Sequence, residues 1–450
     1  MKKKFKNALS MLLCLIMVFG AVAVGGEGIE LPSIKGLFGS EAQAETNEFA
    51  GGNGTENNPY LISTPEQLSN VRNHLNSYFK QIADLDMESI SNWQPIGNAG
   101  SSTGSTLIHD LPEVTYEPFS GNYDGNNYRI KNITIYDSNI SFATDIYGLF
   151  AALGKCTVKN IHLTGINYTI DKATTDYVNL WNEYGASYGV YVGGIAGKST
   201  GDSVVTNCSS SGTIKVMNCN DASVGGILGY GEATKCENST NIYINANSSS
   251  RYETDSTVWC GGIVGKTPYV NSVVSECLNQ GNINATAGNF LYVGGISGED
   301  GRVENCMNCG EIEGHTIKNS SYSTFAGNCN AGGITGATSS DYVKYCVNYG
   351  NVSASADAYT RSASSYAGGI VGYCGYYGSG KVFSCVNIGT KIYSSQKDNK
   401  NLTVEAYAGR ISGSSISISE CYSSGSTTVN GSTKLGCKIL MEKALIHQRF

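Results

Sequence analysis

A five-residue pattern, Gly-Gly-Ile-x-Gly, constrains this chain more than any other feature because it recurs at a nearly fixed interval. Six intact copies begin at Gly193, Gly225, Gly261, Gly294, Gly332 and Gly368, and a degenerate seventh reads Gly409-Arg410-Ile411-Ser412-Gly413. Start-to-start intervals are 32, 36, 33, 38, 36 and 41 residues. Such an interval marks a repeat architecture, in which each unit buries its apolar face against its neighbours.

A second signature, Cys-x-Asn-x-Gly, follows the first within each repeat. It is clearest at Cys277–Gly281, Cys306–Gly310, Cys346–Gly350 and Cys385–Gly389, with looser versions around Cys208, Cys236 and Cys421. Each period has room for about three short strands and their turns. Glycine-rich corners and the lack of a helical pattern predict an all-β fold. The expected architecture is a parallel β-helix, or solenoid, right-handed, with three strands per coil and a short N-terminal helical cap. Coils then stack at the ordinary strand spacing of about 4.8 Å, so equivalent residues lie above one another. This predicts an inward isoleucine ladder of Ile195, Ile227, Ile263, Ile296, Ile334, Ile370 and Ile411. The paired glycines allow a tight corner and close backbone approach. The asparagines can form a ladder or cap their turns. The varying intervals place insertions in the polar third segment of each period.

Composition agrees with this reading. The 450 residues include 56 Gly, 29 Tyr and only 7 Pro, and charged residues make up 15%. Asn, Ser, Thr and Gly separate short apolar runs, which is a turn-rich β composition. Regular recurrence of Ile, Val and Tyr excludes disorder.

Lys2, Lys3, Lys4 and Lys6 precede an apolar stretch from Ala8 to Val24, the pattern of a signal peptide. Cleavage fits after Ala21-Val22-Ala23 or after Ala42-Gln43-Ala44; an uncleaved anchor is the alternative. Removing residues 1–44 takes away five Lys and three Glu and moves the formal charge from −7 to −9. An acidic mature chain without basic clusters argues against nucleic acid and anionic lipid as partners. No later apolar run is long enough to span a bilayer. The expected location is extracellular, secreted or cell-surface associated.

There are 15 cysteines, and an exported context makes disulfides the default. The repeat argues otherwise. Cys208, Cys236, Cys277, Cys306, Cys346, Cys385 and Cys421 hold one repeat position, with Cys156 a candidate earlier member. They are expected as an inward column of thiols acting as small hydrophobes. Directly stacked parallel residues rarely present disulfide geometry. Cys219, Cys260, Cys309, Cys329, Cys374 and Cys437 lie off the column, where one or two lateral disulfides remain open.

Residues 45–98 have a different texture and are expected as a strand-helix-strand cap unit. Thr64-Pro65-Glu66-Gln67-Leu68 opens a helix with Thr as N-cap and Pro in the first turn, and Leu68, Val71 and Leu75 give it an apolar face. A strand is expected from Tyr78 to Met87. The first β-helix coils follow at 99–165, the main solenoid at 166–430, and a cap or truncated tail at 431–450, where Ile439, Leu440, Ala444 and Leu445 could line a short helix.

Several blocks carry a family resemblance. Asn58-Pro59-Tyr60-Leu61-Ile62, Ala83-Asp84-Leu85-Asp86-Met87 and Trp93-Gln94-Pro95-Ile96-Gly97 occur in order. They are followed by Phe119-Ser120-Gly121-Asn122-Tyr123-Asp124-Gly125-Asn126-Asn127 and Gly148-Leu149-Phe150. Together they resemble bacterial GLUG-motif surface proteins across roughly residues 51–430. Asn127 and Ala151 stand where that family usually has glycine. The resemblance implies a β-helical stalk or adhesive surface, of a kind also found in non-catalytic parts of IgA-protease-type metallopeptidases. It supplies no catalytic residue.

Motif searches point the same way. His74, His109, His162, His315 and His447 include no His-Glu-x-x-His pair, so a zinc peptidase is not expected. Gly197-Lys198-Ser199 and Gly265-Lys266-Thr267 imitate a phosphate loop, but Val192 and Cys260 occupy the required first glycine. Gly197–Gly201 spells a nucleophile elbow without its strand-to-helix context or partners. Cys306-Met307-Asn308-Cys309 is a lone pair, weak for zinc or redox. Asp84 and Asp86 are expected on one strand face, in a structural role rather than as a calcium site or acid pair. No catalytic residue, cofactor or metal site is therefore assigned. Tyr342, Tyr345, Tyr349, Tyr373, Tyr376 and Tyr377 are the candidate binding surface, since tyrosine offers apolar area with a hydrogen-bonding tip. The expected function is a non-enzymatic adhesion or binding solenoid for glycan or protein. A carbohydrate-active β-helix enzyme and a purely structural stalk are the alternatives.

Overall fold

The computed structural model describes residues 48–99, 116–138, 145–172, 189–200, 202–219, 221–246, 256–268, 271–299, 301–318, 327–338, 342–358, 363–375, 380–389, 391–398, 404–430 and 438–440. The leader 1–44, His109, His447, Cys14, Cys437, Tyr376, Tyr377, Ala444 and Leu445 lie outside the described residues.

The chain folds as a parallel β-helix. The coil beginning at Gly189 shows the plan with four strand segments: Gly189–Gly193, Ala196–Ser199, Val204–Thr206 and Ser209–Met217. We call the stacks they belong to sheets I, II, III and IV. Each strand pairs in parallel with its counterparts in the coils before and after. Four segments appear where three were expected because the Gly-Gly-Ile corner divides one run between sheets I and II.

That corner is a continuous ladder. Ile195 N donates to Ile227 O at 2.9 Å, Ile227 to Ile263 at 3.1 Å and Ile263 to Ile296 at 3.0 Å. Ile296 then donates to Ile334 at 2.9 Å, Ile334 to Ile370 at 2.9 Å and Ile370 to Ile411 at 2.8 Å. All seven side chains are buried. Leu149 extends the column backwards, donating to Gly194 O.

The second glycine of the motif has a specific reason. A Cβ at Gly262 would overlap the Asn279 amide, one at Gly295 the Asn308 amide, and one at Gly333 the Asn348 amide. The two sequence signatures therefore meet across the core of each coil. The exceptions fit the rule. At Gly194 the opposing residue is Ser210, and Arg410 replaces the glycine in the coil where Ser423 replaces asparagine.

Asn238, Asn279, Asn308, Asn348 and Asn387 form a buried amide ladder on sheet IV. Each Nδ2 donates to the Oδ1 of the next, at 2.8, 2.8, 2.8 and 2.9 Å. At Asn279, Asn308 and Asn348 the same amide closes on the glycine two residues on, donating to its carbonyl and accepting from its N–H. Every polar valence of these three side chains is used, which buried amides require.

The cysteine column runs beside it. Each of Cys208, Cys236, Cys277, Cys306, Cys346, Cys385 and Cys421 donates Sγ–H to the carbonyl two residues back, at 3.1 to 3.3 Å. Cys236 N and Cys277 N each reach the next sulfur, at 3.5 and 3.4 Å. No disulfide joins the column. Cys156 is not an earlier member: register places it opposite Ser203, and Ile161 holds the column position beside Cys208. Cys219, Cys260, Cys329 and Cys374 are buried thiols, and Cys309 is exposed.

The helix forms at Pro65–Asn70, with Gln67 N donating to Thr64 Oγ1 and Gln67 Oε1 accepting from Ser63 N. Leu68 and Val71 are buried. The strand expected from Tyr78 to Met87 is broken into Tyr78–Gln81 and Leu85–Asp86, which pair into sheets III and IV respectively. Asp84 falls in the break, so it does not share a strand face with Asp86. Sheet III itself runs from Tyr60–Ile62 through Tyr78–Gln81 and Asn122–Asp124 into the repeats. Its inward column narrows from the aromatics Phe79 and Tyr123 to Val158, Val205 and Ala233, then continues through Val274, Val303, Val343 and Val382. At the other end Lys438–Leu440 adds a strand on Tyr407–Gly409, not the helix expected there.

Candidate functional site

Fixed offsets from the glycine motif create an outward column on each side of the sheet I–II corner. Two residues before the first glycine, sheet I carries Tyr191, Ser223, Trp259, Tyr292, Asn330, Tyr366 and Tyr407 in register. One residue after the last glycine, sheet II carries Lys198, Tyr230, Lys266, Glu299, Ala337 and Tyr373. Strand alternation turns both sets away from the core.

The two columns interleave into a ridge of rings and charges. Lys198 Nζ lies 5.7 Å from the ring centres of both Tyr191 and Tyr230. Lys266 Nζ lies 4.0 Å over Trp259 and 3.0 Å from Glu299, whose carboxylate accepts from the Trp259 indole. Trp259 and Tyr292 are stacked at 6.3 Å. Further on, Tyr366 stacks on Tyr407 at 4.8 Å and meets Tyr373 at 4.9 Å. Between these groups the ridge drops to Asn330 and Ala337. Asn330 is buried, and its Oδ1 has no hydrogen-bond partner among the described residues. Burial raises the Tyr191 and Tyr366 hydroxyls above the usual phenol range, so both stay protonated donors.

The tyrosines singled out from sequence are divided among three places. Tyr342 and Tyr345 lie on and just after a sheet III strand, each against Phe383, at 5.8 and 5.9 Å. Lys344 sits 4.7 Å over Tyr342 and 2.6 Å from Glu304, whose carboxylate raises its pKa. Tyr345 is exposed and held at φ +55°, in the left-handed turn that other coils build with Asn207, Lys235, Glu276 or Asn305. Tyr349 is exposed in the Asn348–Gly350 turn. Tyr373 belongs to the ridge. Sequence reasoning missed Tyr230, Trp259, Tyr292, Tyr366 and Tyr407; alignment on the glycine motif would have shown the shared offset.

The acids have structural partners. Asp84 accepts from Arg129 N at 2.9 Å and pairs with Lys131 at 3.4 Å, and the backbone bond lowers its pKa. Asp86 caps Glu88 N and accepts from Asn132. No grouping of three or more metal-ligating side chains occurs among the described residues. Nor is any helix among them long and apolar enough to cross a membrane.

These features define a β-helical repeat protein with a ring-lined edge. Residues 188–215, which cover most of the coil beginning at Gly189, match the model of the GLUG motif. The chain is 32% identical over 148 residues to the "Putative Gly-rich membrane protein" of Evansella cellulosilytica. That match spans 31% of this chain and 15% of the relative. A solved structure described as a "putative immunoglobulin A1 protease" from Bacteroides ovatus superposes over 85% of this chain and 80% of its own, with a TM-score of 0.36 and 18% identity. A likeness at that level carries no argument about activity.

Proposed function

We propose that this protein is an extracellular, non-catalytic β-solenoid that binds an extended glycan along the sheet I–II ridge. The ridge carries the reading. Rings recur at or near the coil spacing, so a polymer lying along the axis meets a repeating platform. Sugar rings present C–H faces to aromatic rings and hydroxyls to flanking charges. Asn330 and Ala337, both buried, separate the two ring clusters along the ridge. The signal-like leader and the naming of one relative as a Gly-rich membrane protein support a surface location.

The test is a glycan-array screen of the whole chain, with a parallel polysaccharide-degradation assay. Binding should be lost in Tyr366→Ala/Tyr407→Ala and kept in Tyr345→Ala. Equal loss in Tyr345→Ala would move the site to sheet III, and product release from any glycan would overturn the non-catalytic reading.

A further inference from the structure

One cluster of reactive side chains lies away from the ridge, where sheet IV hands over to sheet I in the first full coil. Lys172 follows strand His162–Asp171, Asp145 opens strand Asp145–Tyr147, and Asp137 closes strand Thr134–Asp137. The Lys172 side chain is 2% exposed. Its Nζ is 2.8 Å from Asp145 Oδ2, 3.3 Å from Asp137 Oδ2 and 2.9 Å from the Tyr147 hydroxyl. That hydroxyl donates to Asp137 Oδ2 at 2.6 Å.

The fold does not demand charges here. In later coils the Asp145 position is filled by Val190, Ala222, Val258 and Leu291. Continued register gives Asn218, then Ala246 and Ala287, at the Lys172 position, none of them charged. Burying an ion pair is generally no more stabilising than packing such apolar residues. The cluster therefore calls for a chemical explanation.

We infer that Lys172 and Asp145 join in an intramolecular isopeptide bond, formed by the protein's own side chains. The Lys172 nitrogen attacks the Asp145 carboxyl carbon, one Asp145 C–O bond breaks, and the oxygen leaves as water. An ammonium and a carboxylate, or an amine and a carboxylic acid, give the same amide and one water, so no oxidant or activating group is needed. Asp137 accepts the ammonium proton and returns it to the departing oxygen, and the Tyr147 hydroxyl holds Asp137 in place. Fixed contact supplies the effective concentration that makes amide formation feasible, and the closed site limits the reverse attack by water. Burial also raises the Asp145 carboxyl above the usual carboxylate range, against the opposing pull of Lys172, favouring its protonated, electrophilic form. The bond would tie the start of sheet I to the end of a long sheet IV strand at the entrance to the repeats.

Intact mass and tryptic mapping of the purified full chain test this. Trypsin places Asp145 in peptide 132–155 and Lys172 at the end of peptide 160–172. The expected result is cleavage blocked at Lys172 and peptide 132–155 joined to 160–198, lighter than the two together by one water. Lys172→Arg should restore the separate peptides, and Asp137→Asn should slow the joining at least tenfold while β-sheet circular dichroism is kept. Separate peptides of full mass from the folded wild-type protein would overturn the inference, as would a link mapped to Asp137. Unslowed joining in Asp137→Asn would remove the role given to Asp137.

Discussion

Replacing Asn308 by alanine strikes the point where the two repeat signatures meet. Asn308 is fully buried, and its amide makes four hydrogen bonds. Nδ2 donates to Gly310 O at 2.9 Å and Asn348 Oδ1 at 2.8 Å, while Oδ1 accepts from Asn279 Nδ2 at 2.8 Å and Gly310 N at 3.2 Å. Each such bond contributes about 1 kcal/mol net, and a buried group left unpaired costs ~1–3 kcal/mol. The four lost bonds alone amount to about 4 kcal/mol, a lower bound because Gly310 keeps neither side-chain partner. In a solenoid the damage stays near the altered coil and its neighbours. Native-state hydrogen exchange is therefore the assay. Amides around Gly281, Gly310 and Gly350 should exchange roughly a thousandfold faster, at tenfold per 1.4 kcal/mol. The control is Asn284→Ala, an exposed outward position on sheet IV that bonds only at the surface to Glu313, where a change within about 0.5 kcal/mol is expected. Acceleration below about tenfold, or equal to that of Asn284→Ala, would refute the claim that the amide ladder holds the coils together.

Gly295→Ala should cost about 1–3 kcal/mol or prevent folding, because its Cβ would overlap both the Asn308 amide and Gly333 O; an unchanged urea midpoint would contradict the corner explanation. In the folded protein, a maleimide should modify Cys309 before any other described cysteine, with all reacting after denaturation; early labelling of Cys277 or Cys306 would speak against a buried column. Burial pushes the Cys219 and Cys329 thiols up to about 12, whereas an unfolded thiol titrates near about 8.5. Their neutral forms are favoured in the folded state, so this stability is whole below about pH 8.5 and is lost as pH rises toward 12. Urea midpoints measured from pH 8 to 11 should fall, and Cys219→Ser/Cys329→Ser should flatten the fall; an identical slope in the variant would exclude these thiols as its source. Thr64→Ala should cost about 1 kcal/mol by removing the N-cap acceptor for Gln67 N, read as faster exchange within residues 65–70.

The repeat alone determined the architecture. Gly-Gly-Ile-x-Gly and Cys-x-Asn-x-Gly at steady intervals leave stacked coils as the way to bury one isoleucine and one cysteine per period. Those ladders were legible because parallel stacking places equal motif positions above one another. Cys156 shows where that reasoning failed: residue type suggested a column member, while strand register gave the place to Ile161. The binding edge was less legible. Tyr342, Tyr345, Tyr349 and Tyr373 are close in sequence, but a coil turns through four sheets within one period and sends them to three places. Tyr191, Trp259, Tyr292, Tyr366 and Tyr407 are far apart in sequence, yet register sets them in one line. The reason Gly295 must be glycine, and the meeting of Lys172 with Asp145 and Asp137, were also decided only in three dimensions. Both depend on what the chain brings across the coil from another sheet, and motif spacing along one strand carries no record of that distance.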